Sequence, residues 1–537
     1  MIRSRTFLIS VKGKRFNKIS GRNVNHESLI LHIEKADFMV FLGMHLAFLI
    51  LMVFGKESSR LPVIGEAVRA FLALCELHRK KEENPISNLS RNLIVEPCTF
   101  VPEEYDEIIV GSGPGGAIAF NVAEKFGKKI LLVEKGRMPD ANIQQHSVHQ
   151  MMNQFANGGQ QFILAQQITP FAQGSVFGGG SEINSGLYHK VPVSILDEWC
   201  KSLAIDVNSW HISERFIRSL LQVQTQPDES LGVYLNSPLL DLAQLRGWEI
   251  ERIPRWRTYN GKNYVHHSVT DATVKEAQVG KQVLLGHEVR SFDVKSSGIL
   301  LKIKGADCSH DVLSRYLTIA GGPLNSSLLL MNSLNLRQKD FDFNFHAMVR
   351  IIAKFPKEVN DLLDIDPHQL WDEQLNSKVG AAVGTRDLLN AMMVNMGRIV
   401  PSNPKNYLPI YHSSVPRGKG GMIRVGREVL PVFRLTKEFR RELTMETQKL
   451  ARDLVKIGAT EVIGKISKPM LSTVHIFGSM PLGRTKILDI NGFVLNTNNK
   501  VRVCDASLLP IAPRVNPQGA VCSLSYLLSE RIHEVFW

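Results

Sequence analysis

The chain has 537 residues, 44% hydrophobic and 21% charged, and its 64 Lys and Arg outweigh 51 Asp and Glu to give a formal charge of +13. That length calls for more than one domain or subdomain, and the composition is that of an ordinary globular protein. No nucleic-acid motif accompanies the dispersed basic excess, the cysteines form no C-x-x-C pair or metal-ligand cluster, and repeats and low-complexity tracts do not occur, so nucleic-acid binding, a metal site and a solenoid are set aside.

The first 37 residues are polar and basic. Residues 38–54, FMVFLGMHLAFLILMVF, are apolar except for Gly43 and His45. The run is slightly short of the roughly 20 residues a spanning helix needs. It lies too far from the start, and lacks the small-residue cleavage site, for a signal peptide. It is expected to be a helix that spans or enters a membrane, with a helix docked on the protein or an oligomer contact as alternatives. Arg22 and Lys35 precede it and Lys56, Arg60 and Arg69 follow, so charge assigns no orientation, and the location is cytoplasmic or membrane-associated. Residues 61–79 form an amphipathic stripe suited to packing on the protein or lying on an interface. Three prolines, Pro85, Pro97 and Pro102, make 84–102 a linker.

Residues 105–136 are the centre of the chain. Ile108, Ile109 and Val110 read as a strand buried on both faces. Gly111, Gly113 and Gly116 follow in G-x-G-x-x-G spacing: one for a tight turn, one for close approach to a pyrophosphate, one for helix–strand packing. A helix runs to about Phe126 and stops at Gly127. Its N-terminus offers free N–H groups to an anion. A second strand ends at Glu134, where a carboxylate can accept from a ribose diol and would repel a 2′-phosphate. The stretch predicts dinucleotide binding and leaves FAD and NAD unseparated.

Residues 139–172, rich in Gln, Asn and His, read as a loop-and-helix excursion. Gly179, Gly180, Ser181 and Asn184, in GGGSEIN, allow backbone approach to a ligand, or form a plain glycine-rich surface loop. Residues 199–226 read as helical and 227–275 as mixed. Residues 282–303 alternate like strands, and 313–322 read as a strand entering a glycine pair and then a helix, a second crossover. In 340–465, strands at 345–355 and 422–433 and a charged amphipathic helix at 436–457 form a second lobe. Residues 466–537 return to the first lobe: an Asn491–Gly492 hairpin turn, a strand ending near Asp505, and a helix opened by Asn516 and Pro517. Taken alone, His475 reads as a satisfied buried histidine and Asn516 as a helix cap.

The pieces GSGPGG…VEKG, GGGSEIN, TIAGGPLNSSLLL, HIFGSMPLG, VRVCDASLLP and NPQGAV, in this order, resemble the glucose–methanol–choline (GMC) family of FAD-dependent oxidoreductases, nearest its cholesterol-oxidase and long-chain-alcohol-oxidase branches. The likeness covers about residue 105 to the end and is weakest in the middle lobe. It implies an α/β fold with an α+β second lobe: a Rossmann-like FAD-binding domain over 105–335 with a cap-like part at 190–275, a discontinuous substrate-binding domain on a β-sheet over 336–465, and a return at 466–537 after an N-terminal segment 1–104.

By position, the resemblance implies that Gly111, Gly113, Gly116 and Glu134 hold the ADP part of FAD. Gly179, Gly180, Ser181 and Asn184 would lie along the flavin or pyrophosphate. Val289 would meet the adenine through its backbone, and Asp505 the pyrophosphate and ribityl chain. The helix after Asn516 and Pro517 would face the flavin N1–O2 edge. His475 and Asn516 take the places of the catalytic pair that handles the alcohol oxygen. Ile476 and Ser479 depart from the family pattern. No histidine for covalent flavin attachment is visible, so FAD is expected to be non-covalent. His346 resembles a histidine of the long-chain-alcohol branch but is assigned no role.

The expected reaction is oxidation of an alcohol to a carbonyl, with sterol, long-chain, sugar and polyol alcohols unranked and oxygen, a quinone or another group as acceptor. The alternatives are a flavoprotein reductase or desaturase of an apolar substrate, and a non-catalytic, membrane-anchored flavin-binding partner.

Overall fold

The computed structural model describes residues 104–537, apart from 141, 262, 270–280, 373–375 and 400. The apolar run 38–54, the amphipathic stripe and the proline linker lie outside the described residues. Among the described residues no helix is long and apolar enough to cross a membrane.

The central strand Tyr105–Val110 pairs in parallel with Ser309–Ile319 on one side and Ile130–Glu134 on the other. Lys281–Leu285 and Val501–Val503 extend the parallel set, and Glu288–Val294 and Ile299–Lys304 add antiparallel strands at one edge. Strands covered on both faces must be apolar throughout, and all of Ile130–Glu134 is buried. The helices Pro114–Lys125 and Gln518–Val535 pack on this sheet and on each other. The C-terminal helix is tied to the first strand by ions as well: buried Glu107 accepts from Thr318 and meets His533 Nε2 at 3.0 Å and Arg502 Nη2 at 3.4 Å.

The second lobe is built on a sheet in the order Glu461–Ile463, Ala347–Lys354, Tyr407–Ser414, Ser377–Ala381, His368–Asp372, Glu249–Arg252. The last strand comes from the stretch expected to be a cap of the first lobe. Alternation decides which face does what. Ile351, Ala353, Leu370, Val379, Leu408 and Ile410 pack on Leu450 and Leu454 of the helix Lys437–Lys456 and on Leu239 and Leu242 of the helix Pro238–Arg246. Met348, Arg350, Gln369, Lys378 and Tyr411 have the opposite parity and face the first lobe.

Two parts depart from the sequence expectation. The excursion 139–172 contributes strands Gln161–Leu164 and Ile168–Phe171, which join Gly418–Val425 and Glu428–Leu435 in a separate small sheet. Its polar composition conceals the inward residues Ile163 and Phe171. The helical reading of 199–226 resolves into Val193–Leu203 and Val207–Leu220, because Ala204 takes φ 51° and Asp206 caps a new start by accepting from Ser209 N at 2.9 Å.

Candidate active site

The three fingerprint glycines answer to three different constraints. Gly111 has φ +98°, and a Cβ there would lie 2.4 Å from Ala320 O. A Cβ on Gly116 would lie 1.9 Å from Gly111 O. At Gly113 nothing stands within 4 Å, so its open side belongs to whatever fills the cavity. Ser112 ties the turn to its surroundings: its hydroxyl donates to Glu134 Oε2 at 2.6 Å and accepts from Gly178 N at 2.9 Å. Glu134 also accepts from Ser112 N at 2.9 Å and Gly136 N at 2.6 Å. A carboxylate with about four acceptor positions keeps capacity for a ligand hydroxyl.

A cavity of about 1160 Å³ runs from this turn into the space beneath the second sheet. Gly111, Gly113, Glu134, Gly179, Gly180, Asn184, Val289, Asp505, Pro517, His475 and Asn516 all line it. Gly116 and Ser181 do not: the first sits against the turn, and Ser181 is buried with its hydroxyl donating to Gly178 O at 2.7 Å. Gly180, like Gly113, has no atom within 4 Å of a built Cβ. Asn184 is held by Gln518 Oε1, 2.5 Å from its Nδ2, and by Gly186 N at 2.7 Å from its Oδ1. Asp505 spends its carboxylate on the protein, accepting from Gly322 N at 2.9 Å, Ser326 Oγ at 2.5 Å and Ser507 N at 2.7 Å, which fixes the start of the helix Gly322–Ser333. The volume exceeds that of ordinary drug-sized pockets. Two glycine faces opening into it form a cradle that fits a dinucleotide.

The far ends of the chain meet here. His475 and Asn516 line the same chamber, held by His346, to which the sequence assigned no role, and by Lys378, which it did not single out. His346 Nδ1 stands 3.2 Å from His475 Nδ1. Lys378 Nζ donates to Asn516 Oδ1 at 3.1 Å and lies 3.2 Å from His189 Nε2, which in turn is 2.7 Å from Gln369 Oε1. No side chain caps the helix Gln518–Val535, so the amide of Asn516 serves Lys378 and the cavity rather than the helix end.

Burial sets the charge state of this cluster. It pulls the Lys378 ammonium down to about 7. Burial and then Lys378 bring His346 to about 3. Burial first, then His346, Lys378, His189 and Arg350, holds His475 well below the usual histidine range, and the imidazole is neutral at pH 7. Lys378 and Arg350 carried a signal: each is a charged residue inside a mostly small or apolar strand, SKVGA and AMVRIIAK, the second of which carries its other charge only at its end, Lys354.

Elsewhere the fold gathers what spacing did not show. His287 Nε2, Cys308 Sγ and a ring nitrogen of His310 lie within 4.8 Å of one another, as a metal-ligating group would, because hairpin register sets His310 opposite Ile303. The expectation of no metal-ligand cluster rested on sequence neighbours alone.

The chain is a two-lobed α/β protein with one cavity lined both by the glycine turn and by His475 and Asn516. Residues 105–337 and 353–525 match the two domains of the GMC oxidoreductases, and the chain belongs to that family, whose members are generally FAD-dependent enzymes. It is 23% identical over 489 residues to an uncharacterised GMC-type oxidoreductase of Sinorhizobium fredii, covering 80% of this chain and 94% of the relative. It is 22% identical over 517 residues to a long-chain-alcohol oxidase of Arabidopsis thaliana, covering 80% and 67%. The fold is shared with pyridoxine 4-oxidase from Mesorbium loti, at TM-score 0.63 and 14% identity over 80% of this chain and 100% of that one.

Proposed function

We propose that the chain binds FAD non-covalently in this cavity and oxidises a CH–OH group to a carbonyl, with His475 and Asn516 at the alcohol oxygen. The observation that carries the reading is one cavity lined both by the glycine turn and Glu134 and by His475 and Asn516. Gly111, Gly113, Gly179, Gly180, Glu134 and Val289 would hold the cofactor, which when bound supplies the hydride acceptor.

Hydride departure from carbon requires the hydroxyl proton to leave as well. Donation from His475 Nδ1–H to His346 Nδ1 leaves Nε2 of His475 as the acceptor for that proton. Since the ring is neutral at pH 7, its lone pair is available. Lys378 holds Oδ1 of Asn516, so the Nδ2 hydrogens are the part of the amide left to stabilise negative charge growing on the oxygen. His346 and Lys378 are positioning residues in this scheme.

His475→Ala and Asn516→Ala are expected to purify with FAD bound and to lose at least about 100-fold in kcat on alcohols. A His475→Ala protein that keeps its turnover overturns the assignment. Acid precipitation should leave the flavin in the supernatant, as non-covalent binding requires. Oxygen is proposed as the electron acceptor because long-chain-alcohol oxidases are among the relatives, and hydrogen peroxide formed one for one with carbonyl checks it. Contact with a membrane through residues 38–54 is proposed on hydropathy alone; fractionation of the whole chain beside one starting at Glu83 tests it.

A further inference from the structure

The cavity holds a set of donors that the oxidation chemistry leaves unused. Across the second sheet, Arg350 pairs with Tyr411, Tyr411 with Gly380, and Gly380 with Gln369, so the four form one cross-strand row on the cavity face. Gly380 leaves the gap into which the Tyr411 ring leans: a Cβ there would lie 3.0 Å from Tyr411 Oη and 3.2 Å from Gln369 Cγ. Arg350, Tyr411 and Gln369 all line the cavity. Arg350 spends one donor on Ser472 Oγ, at 2.7 Å, and pairs with no carboxylate among the described residues. Gln369 is fully buried, and its Nε2 has no partner although its Oε1 is bonded to His189. Burial pushes the Tyr411 phenol up, which keeps it a donor.

Four acids line the cavity: Glu428 is exposed at the start of the strand Glu428–Leu435, and the other three are committed elsewhere. Glu134 serves Ser112 and Gly136, Asp505 serves Gly322, Ser326 and Ser507, and Glu288 pairs with Lys135 and Arg290. The remaining wall near the row is apolar: Met348, Ile365, Val383, Leu388 and Met392. A guanidinium in such a wall without a counter-ion is costly unless a ligand supplies one.

Resting on the alcohol-oxidase reading, we propose that the substrate is a hydroxy acid, an alcohol on an apolar skeleton whose carboxylate is bound by Arg350, Tyr411 and Gln369. Arg350 offers the planar fork that matches a carboxylate. A phosphate's second charge would call on Lys378, which is turned to Asn516 and His189. Substrate charge also couples to catalysis. Arg350 and Lys378 help hold His475 below its usual range, and a bound anion offsets that field and makes the imidazole a stronger base.

Two measurements on the purified flavoprotein test this. In the first, calorimetry follows binding of hexanoate, which cannot be oxidised, beside hexanol and hexyl phosphate. Hexanoate is expected to bind most tightly, and Arg350→Gln to weaken it at least tenfold with flavin content unchanged; Arg350→Lys should recover part of the loss. In the second, 6-hydroxyhexanoate and 4-(hydroxymethyl)benzoate are compared with their methyl esters and parent alcohols on unmodified protein. Each acid is expected to exceed its ester in kcat/KM by at least tenfold. Equal turnover of acid and ester, tighter binding of hexyl phosphate, or hexanoate binding indifferent to Arg350→Gln overturns the proposal. Hexanoate binding that depends on Arg350, with no alcohol of either kind oxidised, would support the anion site and remove the oxidase reading instead.

Discussion

Gly113 and Gly116 share one motif but fail in different ways. A methyl group at position 113 meets no protein atom and enters the space where the dinucleotide would lie, whereas at 116 it meets Gly111 O at 1.9 Å. Gly113→Ala should keep its thermal midpoint and lose at least tenfold in FAD affinity, a cost of about 1.4 kcal/mol or more. Gly116→Ala should lower the midpoint before any effect on FAD is read. Flavin titration beside thermal unfolding separates the two; an unstable Gly113→Ala would contradict the open face. Lys378 is a second residue whose surroundings define it. Its pKa falls from 10.5 to about 7 on folding, so between those values the unfolded chain binds the extra proton and stability rises with pH. The charge penalty is fully present below about pH 7 and is relieved toward pH 10.5. Lys378→Met should therefore gain stability relative to the parent most strongly at pH 6, by a few kcal/mol at most, with the gap closing at alkaline pH. Denaturant midpoints across pH 6–10 check the sign.

At the scale of elements, two buried ion clusters splice segments distant in the chain. Arg255 and Arg257, on the strand Arg255–Asn260, both meet Asp364, and burial alone would raise that carboxyl but the two guanidinium groups hold it well below the usual range. Removing the acid strands two buried cations. Asp364→Ala should cost about 3–5 kcal/mol by denaturant unfolding; a change under 1 kcal/mol would mean that water or another acid replaces it. Glu107 plays the same part between the first strand and the C-terminal helix. Burial would raise its pKa, but His533 and Arg502 leave it lowered, so its contribution is present above pH 4.5 and is lost as pH falls. These clusters pair residues up to 426 positions apart, and no local spacing announces them.

At the scale of the whole molecule, the site exists only where the two lobes face each other. The first lobe brings the glycine turn, Glu134 and the C-terminal His475 and Asn516, and the second brings His346, Arg350, Gln369, Lys378 and Tyr411. The first set was readable in order, since each member lies in a short motif at a strand end or helix start, where local geometry constrains residue type. The second set lies inside or beside strands, one residue at a time, and only sheet register puts Arg350, Tyr411 and Gln369 in one row.

What the chain alone determined was the nucleotide half: glycines, a carboxylate and helix starts are dictated within a few residues of themselves, by φ, by Cβ room and by free N–H groups. It also carried the His475 and Asn516 pair, through short stretches whose order matches a family. Tertiary structure decided the rest. Whether His475 has a partner, what Asn516 binds, and which cations are left without an anion depend on strands that meet across more than 100 residues of chain. Burial, which sets the charge of Lys378 and His475, is a property of the packed lobes and of no residue by itself.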